Sequence, residues 1–258
     1  MDLGIAGRTA IVCASSRGLG KGCAGALAAA GCRVVINGRD AEALEATRAE
    51  LAPLGGEIVA VAADVGTPEG RAALLAAAGD VDILVNNNAG PPFRDFREID
   101  EAAMLKGLNA NMLTPVALIQ AVIDGMTARG FGRIVNITSS SVKAPIAGLD
   151  LSSGARAGLT AFVAGIARTV ADRNVTINAI MPGSFDTDRL RSGFERTAKT
   201  EGIDVAAARQ RAQARIPTRR LGSPEEFGAL CAFLCSAQAG YITGQSILID
   251  GGQVNATF

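Results

Sequence analysis

Apolar and polar positions follow each other along this chain in blocks rather than residue by residue. Seven short, nearly continuous apolar runs rich in Val and Ile occupy 9–14, 33–38, 57–64, 82–87, 132–139, 175–182 and 246–252. Strands that are covered on both faces have this composition. Alanine-rich stretches separate the runs, and one of them opens with a capping signal, Ser223 followed by Pro224 and Glu226. The pattern predicts an α/β fold, a doubly wound parallel sheet of about seven strands with helices on both faces.

The composition is that of a neutral globular chain. Of its 258 residues 48% are hydrophobic, and 25 basic residues balance 25 acidic ones. Zero net charge gives no general attraction to nucleic acid or anionic membranes, and no apolar run is long enough to predict a membrane span. Residues 1–12 lack the features of a signal peptide, so a cytoplasmic protein is predicted. No linker or repeat interrupts the chain, which predicts one domain over 1–258.

The chain has five cysteines and no histidine. An odd number of cysteines in apolar surroundings is typical of small buried side chains in a reducing compartment. Cys231 and Cys235 are four residues apart on a predicted helix, where core packing is favoured over a metal pair. Because histidine is the commonest metal ligand and general base, its absence removes both. We predict no metal site.

A glycine turn, CASSRGLGKG at 13–22, follows the first predicted strand. Glycines at this place let the backbone approach a pyrophosphate, and the N-terminus of the next helix supplies N–H donors and a positive dipole end. A Gly-x-Gly also occurs in ordinary tight turns, but its position after the first strand favours a dinucleotide site of the Rossmann type. The predicted cofactor contacts in this turn are Ala14, Ser16, Arg17, Gly18, Leu19 and Gly20.

The tip of the second predicted strand distinguishes the two nicotinamide cofactors. An acidic residue there would bind the ribose 2′-hydroxyl of NAD, but the chain has Asn37, Gly38 and Arg39. Arg39, together with Arg17 of the glycine turn, would pair with a 2′-phosphate, so NADP is predicted with Asn37 and Arg39 among its contacts. Two alternatives stay open: Arg39 as a solvated loop residue, and NAD through the nearby Asp40.

Further motifs follow in order, and with the glycine turn they resemble the short-chain dehydrogenase/reductase family from end to end. The turn corresponds to the family's T-G-x-x-x-G-x-G, AADV at 62–65 to its adenine-contacting acidic motif, NNNAG at 86–90 to its N-N-A-G segment, and NAIMPGSFDT at 178–187 to the turn that holds the nicotinamide amide. The resemblance implies further cofactor contacts at Asp64, Val65, Asn87, Asn88, Ala89, Pro182, Gly183 and Thr187.

The same resemblance implies an activity and an assembly. It places Asn111 of NANMLTP and Ser139 of GRIVNITS at catalytic positions. Within the family the chain is most similar to the 3-oxoacyl-(acyl carrier protein) reductase-like members. Such members form dimers or tetramers, so a homo-oligomer is expected.

The chain departs from the family pattern at three places. Ala14 stands at the first glycine of the turn, so that turn must accept a Cβ atom. NNNAG has one asparagine more than the family motif. The third departure is chemical: the family's Tyr-x-x-x-Lys, thirteen residues after the serine, is replaced by Ser152 and Arg156.

Loss of the tyrosine changes the expected chemistry. Hydride transfer leaves negative charge on a carbonyl oxygen, which a positioned acid must protonate. A serine hydroxyl is a much weaker acid than a tyrosine whose pKa of about 10 is lowered by a neighbouring lysine. Arg156 cannot shuttle protons, but it can bind ribose hydroxyls and keep a positive field near the nicotinamide. Lys143 is a candidate substitute, although an exposed loop lysine is the favoured interpretation.

Residues 187–220 are polar and lack strand patterning, and the resemblance implies that they cover the substrate. They contain nine basic residues but only four acidic ones, Asp188, Glu195, Glu201 and Asp204. A basic cover suits an anionic substrate, either an acyl thioester of phosphopantetheine or coenzyme A or a carboxylate. The alternative is that spaced arginines, such as Arg211 and Arg215, decorate a solvated helix face.

Two functions fit the sequence. The first is an NADP-dependent oxidoreductase that transfers a hydride between nicotinamide and a carbonyl/alcohol substrate, of 3-oxoacyl-thioester reductase type, with a catalytic set of Ser139, Asn111, Ser152 and Arg156. The second is a catalytically impaired subunit that partners an active homologue in a mixed oligomer through the small-residue helix at 154–171. The cofactor motifs favour the first function, and the replaced tyrosine and lysine favour the second. No motif suggests nucleic-acid or membrane binding.

Overall fold

The computed structural model describes residues 2–256, which form one α/β domain. Its strands are β1 (Thr9–Val12), β2 (Arg33–Gly38), β3 (Ile58–Ala62), β4 (Ile83–Asn86), β5 (Gly132–Ile137), β6 (Val175–Pro182) and β7 (Ser246–Ile249). Within the described chain they form one parallel sheet in the order β3-β2-β1-β4-β5-β6-β7. The predicted doubly wound parallel sheet of seven strands is confirmed.

Helices connect the strands and cover both faces of the sheet. Over residues 2–256 the α-helices are α1 (Gly18–Ala29), α2 (Ala41–Leu51), α3 (Pro68–Ala78), α4 (Glu101–Leu108), α5 (Thr114–Arg129), α6 (Asp150–Val170), α7 (Asp188–Glu201), α8 (Val205–Ala214) and α9 (Pro224–Cys235). The predicted capping box of α9 forms, because the Ser223 side chain accepts from the Glu226 N–H and the Glu226 carboxylate accepts from the Ser223 N–H. Sequence and structure therefore agree on where this helix begins.

Two apolar clusters lie on opposite faces of the sheet. One packs α1, α2 and α9 and includes Leu27, Leu44 and Phe227, while the other packs α3, α5 and α6. Nearly every position of the five central strands is buried, as the continuous apolar runs predicted. The predicted runs 57–64 and 246–252 are longer than β3 and β7 because their last residues turn into loops, for example where the Asp64 carboxylate accepts from the Gly66 N–H.

Helices α1 and α9 meet at two glycines. A Cβ atom at Gly22 would lie 2.1 Å from the carbonyl oxygen of Pro224, and one at Gly228 would lie 2.2 Å from that of Gly22. Both distances are far below van der Waals contact, so only glycine allows this backbone approach.

The five cysteines are all buried and free. Cys231 and Cys235 belong to the cluster between α1, α9 and the sheet. Hydrogen bonds with neighbouring thiols, together with burial, raise the pKa of both well above its usual value. They are therefore neutral thiols that fill the core, as favoured from the sequence over a metal pair.

Residues 187–220 fold into α7 and α8, which pack on each other around a third, smaller apolar cluster that includes Phe194, Ala208 and Ile216. Across residues 2–256, no helix combines the length and apolar content that crossing a bilayer requires.

Candidate active site

The predicted site residues gather at one edge of the sheet. The loops after β1, β4, β5 and β6 all start from the carboxyl ends of parallel strands. All strands run in the same direction, but the order in which successive strands are added reverses between β1 and β4. The crevice at such a switch point is where doubly wound folds bind their ligands.

The glycine turn after β1 has an unusual backbone. Ala14 has a φ of +45° and Gly18 a φ of +57°, so an alanine occupies a left-handed conformation that normally favours glycine. A Cβ atom at Gly20 would lie 2.5 Å from the Ala14 carbonyl oxygen. The Asn87 amide donates to that same oxygen at 3.1 Å and ties the turn to the end of β4. The turn is thus closed too tightly for a side chain at position 20.

We expect Ala14→Gly to raise the free energy of unfolding by about 0.5 kcal/mol. The substitution removes a strain of about 1 kcal/mol that alanine has in the left-handed conformation. The larger conformational entropy of glycine in the unfolded chain offsets part of this gain. Urea denaturation measures the change. Ala161→Gly, on the exposed face of α6, is the matched control and should lose about 1 kcal/mol. Equal losses in both variants would show that Ala14 is not strained.

Asn37 supports the turn with its side chain. It is 1% exposed, its Nδ2 donates to the carbonyl oxygens of Val61 and Ala63, and its Oδ1 accepts from the Ala14 N–H. Both N–H groups of the amide and its oxygen are therefore bonded to backbone groups. The sequence predicted Asn37 as a cofactor contact. In the structure its side chain instead holds the glycine turn against the end of β3.

The charged groups beside Asn37 point to solvent. Arg17 and Arg39 are exposed, and neither has a carboxylate of the described residues within salt-bridge distance. The Asp40 carboxylate accepts from the Ala43 N–H and caps α2. Two unpaired cations thus flank the tip of β2, while the nearest acid already has a structural partner.

The residues taken from the family motifs line the rest of this edge. Asp64 is exposed at the end of β3, and Val65 beside it is buried. Asn88 donates to the Ala110 carbonyl oxygen and accepts from the Ala89 N–H. The three asparagines of NNNAG therefore have three different partners, since Asn86 bonds Asn136 on β5.

Pro182 ends β6 and Gly183 follows it, while Thr187 is the N-cap of α7. Gly183 has no room for a side chain, because a Cβ atom would lie 2.5 Å from the Cβ of Asp250. The Thr187 hydroxyl makes no capping bond to α7. Its methyl group would lie 3.4 Å from a Cβ at Gly18, so this segment faces the glycine turn.

Ser139 ends a chain of three hydroxyls. The Ser153 hydroxyl donates to Ser141 at 2.9 Å, and the Ser141 hydroxyl donates to Ser139 at 2.9 Å. The Ser141 N–H also donates to the Ser139 oxygen at 3.1 Å. Since a hydroxyl has one hydrogen, that of Ser139 is left for another acceptor. Sequence reasoning missed Ser141 and Ser153, and the only signal was the run of serines at 139–141.

Ser152 and Arg156 lie one turn apart on α6 and bond each other. The Arg156 Nε donates to the Ser152 Oγ at 3.1 Å, Nη1 to the Ile137 carbonyl oxygen at 2.6 Å and Nη2 to that of Asn88 at 3.4 Å. Arg156 is 7% exposed, and no carboxylate of the described chain pairs with it. Burial, with Arg189 nearby, lowers the pKa of Arg156 to about 10, so it stays cationic at neutral pH.

Asn111 sits in an irregular turn between α4 and α5. Residues Asn109–Leu113 form a π-helical segment, a feature often found at functional sites. The Asn111 Nδ2 donates weakly to the Gly107 carbonyl oxygen, and its buried Oδ1 has no partner. Asn111 and Arg156 both border a cavity of about 10 Å³, which is room for roughly one water. Lys143 is exposed in its loop, as favoured from the sequence.

The basic residues of 187–220 divide into two groups. Arg191 and Arg209 pair with Asp186, Arg211 pairs with Glu201, and Arg220 pairs with Glu226. Among residues 2–256, the remaining five have no carboxylate within salt-bridge distance: Arg189, Arg196, Lys199, Arg215 and Arg219. Four of the basic residues are therefore neutralised by carboxylates, as expected of a solvated helix face. The other five have no such partner within the described chain.

The fold and this edge define a dinucleotide-binding α/β protein, and comparison with known proteins gives its family. The family model described as enoyl-(acyl carrier protein) reductase matches residues 13–253. The NADPH-dependent reductase BacG of Bacillus subtilis is 31% identical, with 96% of this chain and 98% of that protein covered. The 3-oxoacyl-[acyl-carrier-protein] reductase FabG of Vibrio cholerae is 32% identical, with 97% and 98% covered.

A solved structure agrees with these matches. L-sorbose reductase of Gluconobacter frateurii, complexed with NADPH and L-sorbose, superposes with a TM-score of 0.94 at 29% identity over 99% of this chain and 100% of that one. The chain belongs to the short-chain dehydrogenase/reductase family. The predicted class, an NAD(P)-dependent oxidoreductase, and the predicted NADP-type cofactor are confirmed at the level of this family.

Proposed function

We propose that the protein is an NADP-dependent oxidoreductase that acts on a carbonyl/alcohol pair. The observation that carries the choice of cofactor is the pair of exposed, unpaired arginines, Arg17 and Arg39, beside the tip of β2. They fit a 2′-phosphate, and the nearby Asp40 carboxylate accepts from the Ala43 N–H as the cap of α2. The closed glycine turn and the N-terminus of α1 fit a pyrophosphate.

Bound NADPH supplies a hydride to the carbonyl carbon of the substrate. Ser139 donates its free hydroxyl hydrogen to the substrate oxygen, with Ser141 and Ser153 holding it in orientation. Ser152 occupies the proton-donor position, and its hydroxyl hydrogen is free because its oxygen accepts from Arg156. Arg156 adds positive charge where negative charge develops on the substrate oxygen, and Asn111 supports a water beside Arg156.

The finer assignments rest on the family and on residues 187–220. Two substrate types are candidates: a 3-oxoacyl thioester, supported by the similarity to the Vibrio cholerae reductase, and a carboxylate, supported by the unpaired basic residues of 187–220. We place the protein in the cytoplasm as a homo-oligomer.

A second candidate function is favoured by one observation. Arg156 already donates to two carbonyl oxygens and to Ser152, so only two of its five N–H groups are left for a ribose. This engagement, with a serine in place of the tyrosine, supports an impaired subunit that assembles with an active homologue.

Titration with NADPH and NADH, followed by nicotinamide fluorescence, tests the proposal. We expect NADPH to bind at least tenfold more tightly than NADH, because each charged hydrogen bond to the 2′-phosphate is worth about 1.5–3 kcal/mol. The double variant Arg17→Ala/Arg39→Ala should lose that preference and leave NADH binding unchanged. Arg48→Ala, an exposed arginine paired with Glu45 on α2, is the matched control and should keep it. Binding of neither cofactor would refute the oxidoreductase.

A further inference from the structure

Three arginines from two helices contact one short loop at the mouth of the site. Arg156 Nη2 donates to the carbonyl oxygen of Asn88 at 3.4 Å, and Arg189 Nη2 donates to that of Pro91 at 3.3 Å. The guanidinium of Arg196 lies over the ring of Phe93, 5.3 Å from its centroid. The two carbonyl oxygens are three residues apart, so the chain separates them by at most about 11 Å. The loop 88–93 thus brings three cations together, and one of them, Arg156, bonds Ser152.

These cations lack counter-charges. No carboxylate of residues 2–256 lies within salt-bridge distance of Arg156, Arg189 or Arg196. By contrast, Arg191 pairs with both Asp186 and Asp188, although it is only two residues from Arg189 on α7. Partial desolvation and the nearby Arg196 lower the pKa of Arg189, as expected where like charges approach without an acid between them. Arg156 is buried, whereas Arg189 and Arg196 are exposed and accessible to an anion from solution.

The loop is shaped to receive Arg189. A Cβ atom at Gly90 would lie 2.7 Å from Nη1 and 3.0 Å from Nη2 of Arg189. The guanidinium therefore lies directly against the Gly90 backbone, and any side chain there would displace it. With one Nη group bonded to Pro91, the planar fork still has donors for two carboxylate oxygens.

We propose that Arg189, aided by Arg196, binds a carboxylate carried by the substrate itself, so that the substrate is a short oxo acid or the corresponding hydroxy acid. This rests on the proposed oxidoreductase function and narrows its substrate class. In an acyl thioester of phosphopantetheine the nearest phosphate is separated from the carbonyl by the whole pantetheine chain. A cation cluster that shares one loop with Arg156 is too close to the reacting carbon to serve that phosphate.

The test is a binding measurement on the NADP⁺ complex by calorimetry. The probes are 2-oxobutyrate, acetoacetate and levulinate, whose carboxylates lie one, two and three bonds from the carbonyl carbon, each paired with its methyl ester. We expect at least one acid to bind at least tenfold more tightly than its ester. Arg189→Gln should abolish the preference for the acid over its ester. Gly90→Ala should reduce this preference with little change in melting temperature. Arg191→Gln, which removes the same charge from the same helix, should keep it.

Other outcomes overturn the proposal. It is wrong if no acid binds better than its ester, or if Arg189→Gln keeps the preference. It is also wrong if Arg189→Gln weakens NADPH binding while the acid-to-ester ratio stays, because Arg189 then serves the cofactor. NADPH fluorescence titration of each variant separates these results from failure of the proposed function, in which the cofactor itself does not bind.

Discussion

Changing Ser152 to tyrosine and Arg156 to lysine in one variant will raise the rate of carbonyl reduction by about a hundredfold. The tyrosine supplies an acid near its working pKa, and the lysine lowers that pKa further, whereas a serine hydroxyl is a weak proton source. The lysine also frees the carbonyl oxygens of Ile137 and Asn88 from a guanidinium that is fixed by its bonds to three acceptors. NADPH oxidation followed with a panel of oxo acids and oxo esters measures the effect.

Two single variants separate the contributions. Ser152→Tyr alone leaves Arg156, which cannot exchange a proton, so it should gain much less than the double variant. Arg156→Lys alone should leave the rate low because the acid is still missing. If the double variant is folded, binds NADPH and is no faster, proton donation does not limit the reaction. The pH profile of the double variant should also acquire a new basic limb from the tyrosine, which the parent protein lacks.

Gly228→Ala should lower the free energy of unfolding by about 3 kcal/mol, which corresponds to a fall of about 6–12 °C in melting temperature. The added methyl group would lie 2.2 Å from the backbone oxygen of Gly22, so α1 and α9 must separate. A backbone oxygen cannot turn aside as a flexible side chain can. Thermal unfolding followed by circular dichroism measures the loss.

Gly193→Ala on α7 is the matched control for this prediction. Nothing lies within 4 Å of a Cβ atom at Gly193, so the variant should gain about 0.5–1 kcal/mol from helix propensity. If both variants lose stability alike, the cost comes from glycine replacement in general rather than from the contact between α1 and α9. Because α1 begins at the glycine turn, Gly228→Ala should also weaken NADPH binding.

The strands and the cofactor edge were predictable because they obey local rules. A run such as RVVING at 33–38 has few alternatives to a buried strand, and a glycine turn after the first strand has a fixed place in a doubly wound sheet. The capping box of α9 is equally local, since its donors and acceptors lie within four residues. The ordered motifs then carried the family, which the comparisons confirm.

Other features of the site depend on contacts that no sequence period encodes. The direction of the Asn37 amide is set by the carbonyl oxygens of Val61 and Ala63, at the end of β3 and more than twenty residues away. The bond from Ser153 to Ser141 joins a helix to a loop, and hydroxyl residues have no pattern that would reveal it. The sequence also gives the number of arginines in 187–220, but not which of them form a salt bridge with a carboxylate. Only the fold distinguishes Arg189 from Arg191.

The buried charge of Arg156 has a consequence for the lifetime of the protein. A guanidinium held inside the fold without a counter-ion makes the ligand-free chain less stable than its packing alone would make it. An anion that binds beside it therefore adds charge compensation to the ordinary mass-action gain of a bound ligand. Degradation by a protease that attacks the opened chain should then slow steeply as ligand is added. The survival of this protein in a protease assay would then report the supply of an anionic ligand at this site.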